Sequence, residues 1–151
     1  MQTKDVIRFE QDSPIRRISR LSRLNMNSLA GPISAIGIAR GTFPFVMEVL
    51  CREGVIQEDL SRLLSIDRAA TARALKRLER DGLIERREDP ADRRGKHVFP
   101  TDRTRDLCGD ILGILTQQKE ALFNGFDEGE RALFLRMLDR VIDNMGAPTS
   151  P

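Results

Sequence analysis

Apolar positions along the chain recur mostly three and four residues apart, the spacing of helices that bury one face. Ile15, Ile18, Leu21 and Leu24 follow it, with Arg16, Arg17, Arg20 and Arg23 between them. The pattern predicts an amphipathic helix with a basic outer face. It opens at Ser13-Pro14, a residue pair suited to the cap and first helical position. It runs to about Leu29, and Gly31-Pro32 should end or kink it. Residues 33–41 are apolar and rich in small side chains, which leaves helical turn and loop both open. Thr42 suits the cap of a helix over 43–53, with Pro44 in its first turn and Phe45, Val46, Val49 and Leu50 inward. Gly54 should stop that helix.

Two shorter helices follow. Residues 57–64 turn Leu60, Leu63 and Leu64 inward. Asp67 then suits the cap of a helix over 68–81, with Thr71, Leu75 and Leu78 on its buried side. Asp81-Gly82 closes it. Residues 83–87 read as a strand, and Pro90 and Gly95 among charges give 88–96 the chemistry of a hairpin tip. The chain returns as a strand over 97–101, where Pro100 predicts an edge position because it lacks a donor. A long helix over 102–124 turns Leu107, Ile111, Ile114, Leu115, Leu122 and Phe123 inward. After a break at Gly125-Phe126, a last helix begins at Asp127 or Glu128 and reaches Met145, with Leu133, Phe134, Met137, Leu138, Val141, Ile142 and Met145 as its apolar row. Residues 1–12 are polar and expected to fray, and 147–151 to be disordered.

Composition narrows the class. With 151 residues, 40% hydrophobic and 32% charged, the chain is long enough and apolar enough for a packed core. The net charge of +2 says little, but its distribution is uneven. Between residues 62 and 105, 13 Lys/Arg stand against 8 Asp/Glu, whereas the rest of the chain holds 12 against 15. Positive charge gathers in the central unit, as a phosphate-binding surface requires. No apolar run approaches the ~18 residues of a membrane span, and no signal-type apolar segment follows the first residues. The expectation is a cytoplasmic protein without membrane contact.

Within that unit, Arg68, Ala69, Ala72, Arg73 and Lys76 share the outer side of one short helix. Small residues permit close approach to a DNA major groove, and the cations can pair with guanine or phosphate. The same face also suits an ordinary solvated helix. The hairpin favours the first reading: Asp92-Arg93-Arg94 places two arginines where a narrow minor groove would accept them, with Asp92 available to hold a guanidinium. Two helices followed by a basic hairpin predict a mainly α fold with a small β-hairpin wing, a winged helix-turn-helix with helical extensions at both ends.

Leu75-Lys-Arg-Leu78, Asp81-Gly82-Leu83-Ile84, Asp92-Arg93-Arg94 and Val98-Phe-Pro-Thr101 resemble the pattern of the MarR/SlyA family of transcriptional regulators. The resemblance implies a ligand-responsive regulator, with repression as the expected mode. It would be a homodimer on a pseudo-palindromic double-stranded DNA operator. Residues 42–101 would be the DNA-binding domain, and 1–34 with 103–146 the dimerisation region. It carries Arg68, Ala69, Ala72 and Arg73 over as major-groove contacts and Asp92, Arg93 and Arg94 as the wing tip. It also implies a small lipophilic or aromatic effector in a crevice lined by Ser28, Ile36, Arg40, Phe43, Met47 and Phe123. The chain departs from the pattern at Ala69, Ala70 and Ala72, where Ser or Thr is common. It departs again at Pro100 in place of Leu and at Thr104 in place of Gly.

Two other readings stay open. One is a monomeric helical bundle. The other is a winged-helix dimer that serves as an architectural or partner-binding module without operator readout. Cys51 and Cys108 lie far apart without metal-type spacing and read as free packing thiols. His97 is the sole histidine and has no ligand-spaced partners, so no metal or cofactor is expected. It flanks the hairpin, and no nucleophile motif accompanies it, so no enzyme is expected.

Overall fold

The computed structural model describes residues 3–92 and 95–146. Arg93, Arg94 and the tail over 147–151 lie outside the described residues. The elements in order are α1 (Thr3–Asp12), α2 (Pro14–Ala35), a 3-10 turn (Arg40–Thr42), α3 (Phe43–Cys51), β1 (Val55–Ile56), α4 (Gln57–Leu64) and α5 (Arg68–Arg80). They continue with β2 (Ile84–Glu88), β3 (Lys96–Pro100), α6 (Asp102–Asp106), α7 (Cys108–Leu122) and α8 (Glu128–Asn144). This is the winged helix-turn-helix that the residue pattern predicts.

The core gathers where α2, α3, α4 and α5 meet the sheet. Ile33, Phe45, Val46, Val49, Leu60, Leu75, Leu78, Leu83 and Val98 are all buried there. Each such side chain contributes about 1.5–3 kcal/mol by leaving water. Thr71 joins the buried row of α5, and its hydroxyl accepts from Ser61 Oγ of α4 at 3.0 Å. The polar pair therefore enters the core satisfied. Leu60 is buried as expected, but Leu63 faces solvent, because the short α4 turns only one side to α5.

The sheet has the order β1-β3-β2, antiparallel throughout, with Val55 opposite Val98 and Arg86 opposite Val98 on the other side. The strand ending at Pro100 is thus central, not an edge. Proline fits because β1 spans two residues and pairs only with His97 and Val98. The Thr101 N–H donates to Leu83 O at 3.2 Å, so alternation turns the Pro100 nitrogen away from β2, beyond the end of β1.

Other expectations change at helix ends. Residues 3–12 form α1 rather than fraying; they contain no internal Gly or Pro, and Asp5 lies in the first turn. The break comes at Ser13-Pro14, whose Ser13 takes the extended cap conformation without a side-chain capping bond. Helix α2 passes through Pro32 and stops at Gly37 instead. Leu29 and Ile33, buried on either side of Pro32, hold it against the core past the missing donor. Gly37, at φ +84°, then supplies the left-handed residue, and Ile38 N–H closes onto Ile33 O at 3.0 Å. Thr42 does not cap α3 with its side chain; its hydroxyl donates backwards to Ala39 O at 2.9 Å. The long helix after Thr101 is two, joined at Leu107, whose N–H makes a tight bond to Thr104 O at 3.2 Å. Leu122, read as inward, is half-exposed. Asp127 and Glu130 cap α8 reciprocally, at 2.8 and 2.9 Å.

The terminal helices keep their apolar rows but do not bury them. Ile15 is 67% exposed, Leu24 55% and Met137 56%, and α8 has no buried residue. No single helix among the described residues is long and apolar enough to cross a membrane.

The Ser61–Thr71 pair gives the first test. Replacing Thr71→Val strands a buried hydroxyl and should cost about 1–3 kcal/mol in urea unfolding. Adding Ser61→Ala should recover most of that loss, as a double-mutant cycle would show. Additive losses would mean that the two hydroxyls act independently.

Candidate nucleic-acid interface

Helix α5 is presented by a sharp turn. Ser65 takes the left-handed conformation at φ 52°, and Ser65 and Ile66 N–H groups close onto Arg62 O and Ser61 O at 3.2 and 3.0 Å. Asp67 then caps α5, as its position predicts, by accepting from Ala70 N–H at 2.8 Å. With Thr71, Leu75 and Leu78 buried, the opposite side of α5 faces outward.

Arg68, Ala69, Arg73 and Lys76 are exposed there, and Ala72 is half-buried between them. Their charges differ in availability. Arg68 pairs with Glu58 of α4, Arg62 with Asp59, and Arg77 and Arg80 both reach Asp81. Arg73 and Lys76 make no ion pair among the described residues, which leaves two uncompensated cations on the outward face.

The C-terminal end of α5 is held just as firmly. Asp81, Gly82 and Leu83 follow it, and each backbone carbonyl receives a side-chain donor from the start of α6. Arg103 Nη1 donates to Asp81 O at 2.7 Å, Thr101 Oγ1 to Gly82 O at 2.8 Å, and Thr104 Oγ1 to Leu83 O at 2.5 Å. Thr104, one of the residues that depart from the family pattern, is buried, and its hydroxyl is spent on this contact. On the other side of α6, Arg105 bridges Glu53 at 3.0 Å and Asp102 at 3.0 Å. The Arg105 hydrogen bond holds the Glu53 carboxyl below its ordinary range.

A third anchor comes from the hairpin. Arg86 of β2, with its side chain only 16% exposed, donates to Glu79 Oε2 through Nη2 at 2.5 Å and Nε at 3.2 Å. It reaches Gln57 Oε1 at 3.4 Å as well. One guanidinium therefore joins the last turn of α5, the start of α4 and the wing. The Arg86 hydrogen bond is the main cause that holds the Glu79 carboxyl below its usual range. Sequence reasoning missed this role, although alternation places Arg86 on the inner face of β2 with Ile84. Asp92 is exposed in the hairpin, and its carbonyl accepts from Gly95 N–H at 3.4 Å.

The six candidate effector residues are less united. Phe43 is buried in the core, with Ile36 and Met47 packed at its margin. Phe123 is buried in a separate cluster with Phe126 and Phe134. Ser28 Oγ accepts from Gln118 at 2.7 Å, and Arg40 is exposed at the 3-10 turn. The cleft beside the site is lined by others, among them Gln57, Glu58, Arg68, Arg86 and Lys96. Cys51 and Cys108 are free and exposed. No acidic, His or Cys cluster suited to a metal occurs among the described residues.

A capped, outward-facing second helix beside a basic hairpin defines a winged-helix protein of the transcription-regulator class. Comparisons with known proteins agree. The sequence model of the MarR family matches residues 44–95. A MarR transcriptional regulator from Methanosarcina mazei Go1 is 35% identical and has a TM-score of 0.81, over 85% of this chain and 93% of that one. A candidate MarR family regulator from Listeria monocytogenes, solved with a 26-mer DNA, is 27% identical with a TM-score of 0.85, over 89% of each chain. The HTH-type transcriptional regulator YybA of Bacillus subtilis (strain 168) is 27% identical over 110 residues, 73% of each protein. The chain belongs to the MarR family of transcriptional regulators.

The Arg86–Glu79 contact predicts a pH signature. A carboxylate whose folded pKa is lowered stabilises fully above its unfolded value, about 4.3, and stops doing so as pH falls through the folded value. The stability gap between the native protein and Glu79→Gln should be constant near neutrality and shrink below about pH 4. Solvent screening of the half-exposed Glu79 limits that gap to about 1 kcal/mol. A gap unchanged at pH 3 in urea titrations would show that the contact is not ionic.

Proposed function

We propose that the chain is a sequence-specific double-stranded DNA-binding regulator, a homodimer on a pseudo-palindromic operator that represses by occupying a promoter. The observation that carries this reading is the pair Arg73 and Lys76, uncompensated on a helix clamped at both ends. An exposed cation with an internal acidic partner must give it up to meet a phosphate; these two need not. Arg68, Ala69 and Ala72 complete the major-groove face. Asp92, with Arg93 and Arg94, is assigned to the minor groove. The Listeria structure with DNA supports the same use of the fold.

Dimerisation is proposed from the uncovered helices. Ile15, Ile18, Leu21 and Leu24 on α2 and Leu133, Met137 and Val141 on α8 form exposed apolar rows that no described residue of the same protomer covers. A two-fold partner would bury them, with 1–34 and 103–146 as the dimerisation region and 42–101 as the DNA-binding domain. Symmetry then sets two copies of α5 about one DNA turn apart, ~34 Å. A small lipophilic or aromatic effector would act by changing that spacing. Among its candidate contacts, Ser28, Ile36, Arg40 and Met47 are those with exposed surface, Arg40 suiting a carboxylate.

Light scattering at micromolar concentration should give twice the 17.1 kDa chain mass; a monomer contradicts the assembly. Arg73→Ala should weaken operator binding by about 1–3 kcal/mol and change sequence preference. Lys76→Ala should weaken all sequences alike and lower the salt slope by about 1. Arg94→Ala should cost about 1–3 kcal/mol in affinity and leave the fold intact. Equal binding by all three variants would remove the proposed interface.

A further inference from the structure

We propose that His97 and Asp89 form a proton-dependent latch that positions the wing hairpin on the body of the winged domain, which makes His97 a positioning residue for DNA binding. The DNA part of this inference rests on the function proposed above; the latch itself does not.

His97 sits in the central strand, opposite Ile56 of β1 and Arg87 of β2. Its Nδ1 lies 2.8 Å from Gly54 O, in the turn that leads into β1. A carbonyl only accepts, so Nδ1 carries the proton. Its Nε2 lies 3.5 Å from Asp89 Oδ2. Asp89 is the first residue after β2, and its other oxygen accepts from Ala91 N–H at 2.8 Å. That backbone bond is the main cause that keeps the Asp89 carboxyl below its ordinary range, and His97 adds to it. Asp89 is therefore ionised wherever an imidazole titrates, and an ionised carboxylate also only accepts. Both ring nitrogens face acceptors, an arrangement that only the imidazolium form satisfies. In the neutral ring, Nε2 turns a lone pair toward the carboxylate.

The charges around the ring are few. Arg87, directly across on β2, stacks over Phe99 at 4.5 Å and is paired with Glu85. Lys96 precedes His97 on β3 with Glu88 opposite it, and β1 offers only Ile56. At the end of α3, before Gly54, Arg52 pairs with Glu48 and Glu53 with Arg105. Asp89 is the one acid within ion-pair distance of the ring among the described residues. In its protonated form the ring ties Asp89 to Gly54 and so fixes the start of the hairpin connection. In the neutral form the tie to Asp89 is lost.

Amide NMR spectra from pH 5 to 8 test the latch without DNA. Ala91 and Val55 amide signals should move together as the pH is lowered in the native protein, and this movement should vanish in His97→Gln. Because Asn retains the acceptor for Ala91 N–H, Asp89→Asn should keep the turn but lose the Ala91 response. An Ala91 response that persists in either variant overturns the latch. With duplex DNA from the chain's own upstream region, affinity at constant ionic strength should be higher at pH 5.5 than at pH 7.5. Asp89→Asn should flatten that profile. An unchanged profile in Asp89→Asn would reduce His97 to an added charge and also overturn the proposal. Absence of any DNA binding would instead count against the proposed function, and the NMR result would still decide the latch.

Discussion

Three consecutive backbone carbonyls at the end of the outward helix, those of Asp81, Gly82 and Leu83, are each bound by a side chain from the first turn of α6. Everything else in the winged unit is arranged from this point. A helix end normally leaves its last carbonyls without partners; here the carbonyls just beyond it become the joint between α5, the sheet and the helix that leaves the domain. Thr101 serves the joint twice, since it also caps α6. Thr104 is buried in it, so a residue that looks like a deviation from the family pattern has a structural task.

The joint explains why α5 is a rigid platform and not merely an exposed helix. Asp67 fixes its first turn, Ser61 and Thr71 lock its flank to α4, Arg86 ties its last turn to the hairpin, and the carbonyl joint fixes its exit. A side chain that reaches a base edge does so usefully only if its backbone is already in place, because otherwise binding must also order the helix. The same joint hands the position of α5 on to α6, and through Leu107 to α7. A change in the long helices therefore has a short mechanical path to the outward face.

Much of this was legible in the residues because it follows local rules. The row Thr71, Leu75, Leu78 identified α5, Asp67 announced its cap, and the pair Asp127-Glu128 marked the start of α8. The hairpin showed in its turn chemistry. What stayed hidden was decided by distant contacts. Val55-Ile56 is too short for any period, and becomes a strand only because β3 offers a free edge. Pro32 was a sound stop signal overridden by the burial of Leu29 and Ile33. Arg86 looked like one more wing cation until Glu79 and Gln57 came within reach of it. The effector crevice drew on a family resemblance, and Phe43 and Phe123 went to separate clusters.

The central claim is that a rigid α5 with two free cations reads DNA sequence. Its most direct measurement is equilibrium binding to a duplex from the chain's own upstream region and to a scrambled duplex of equal length and composition, at matched salt. The account predicts a preference of at least about 10³ for the upstream duplex, with affinity falling steeply as salt rises. Equal affinity for the two duplexes would contradict it and leave a winged helix that holds DNA or a partner without reading it.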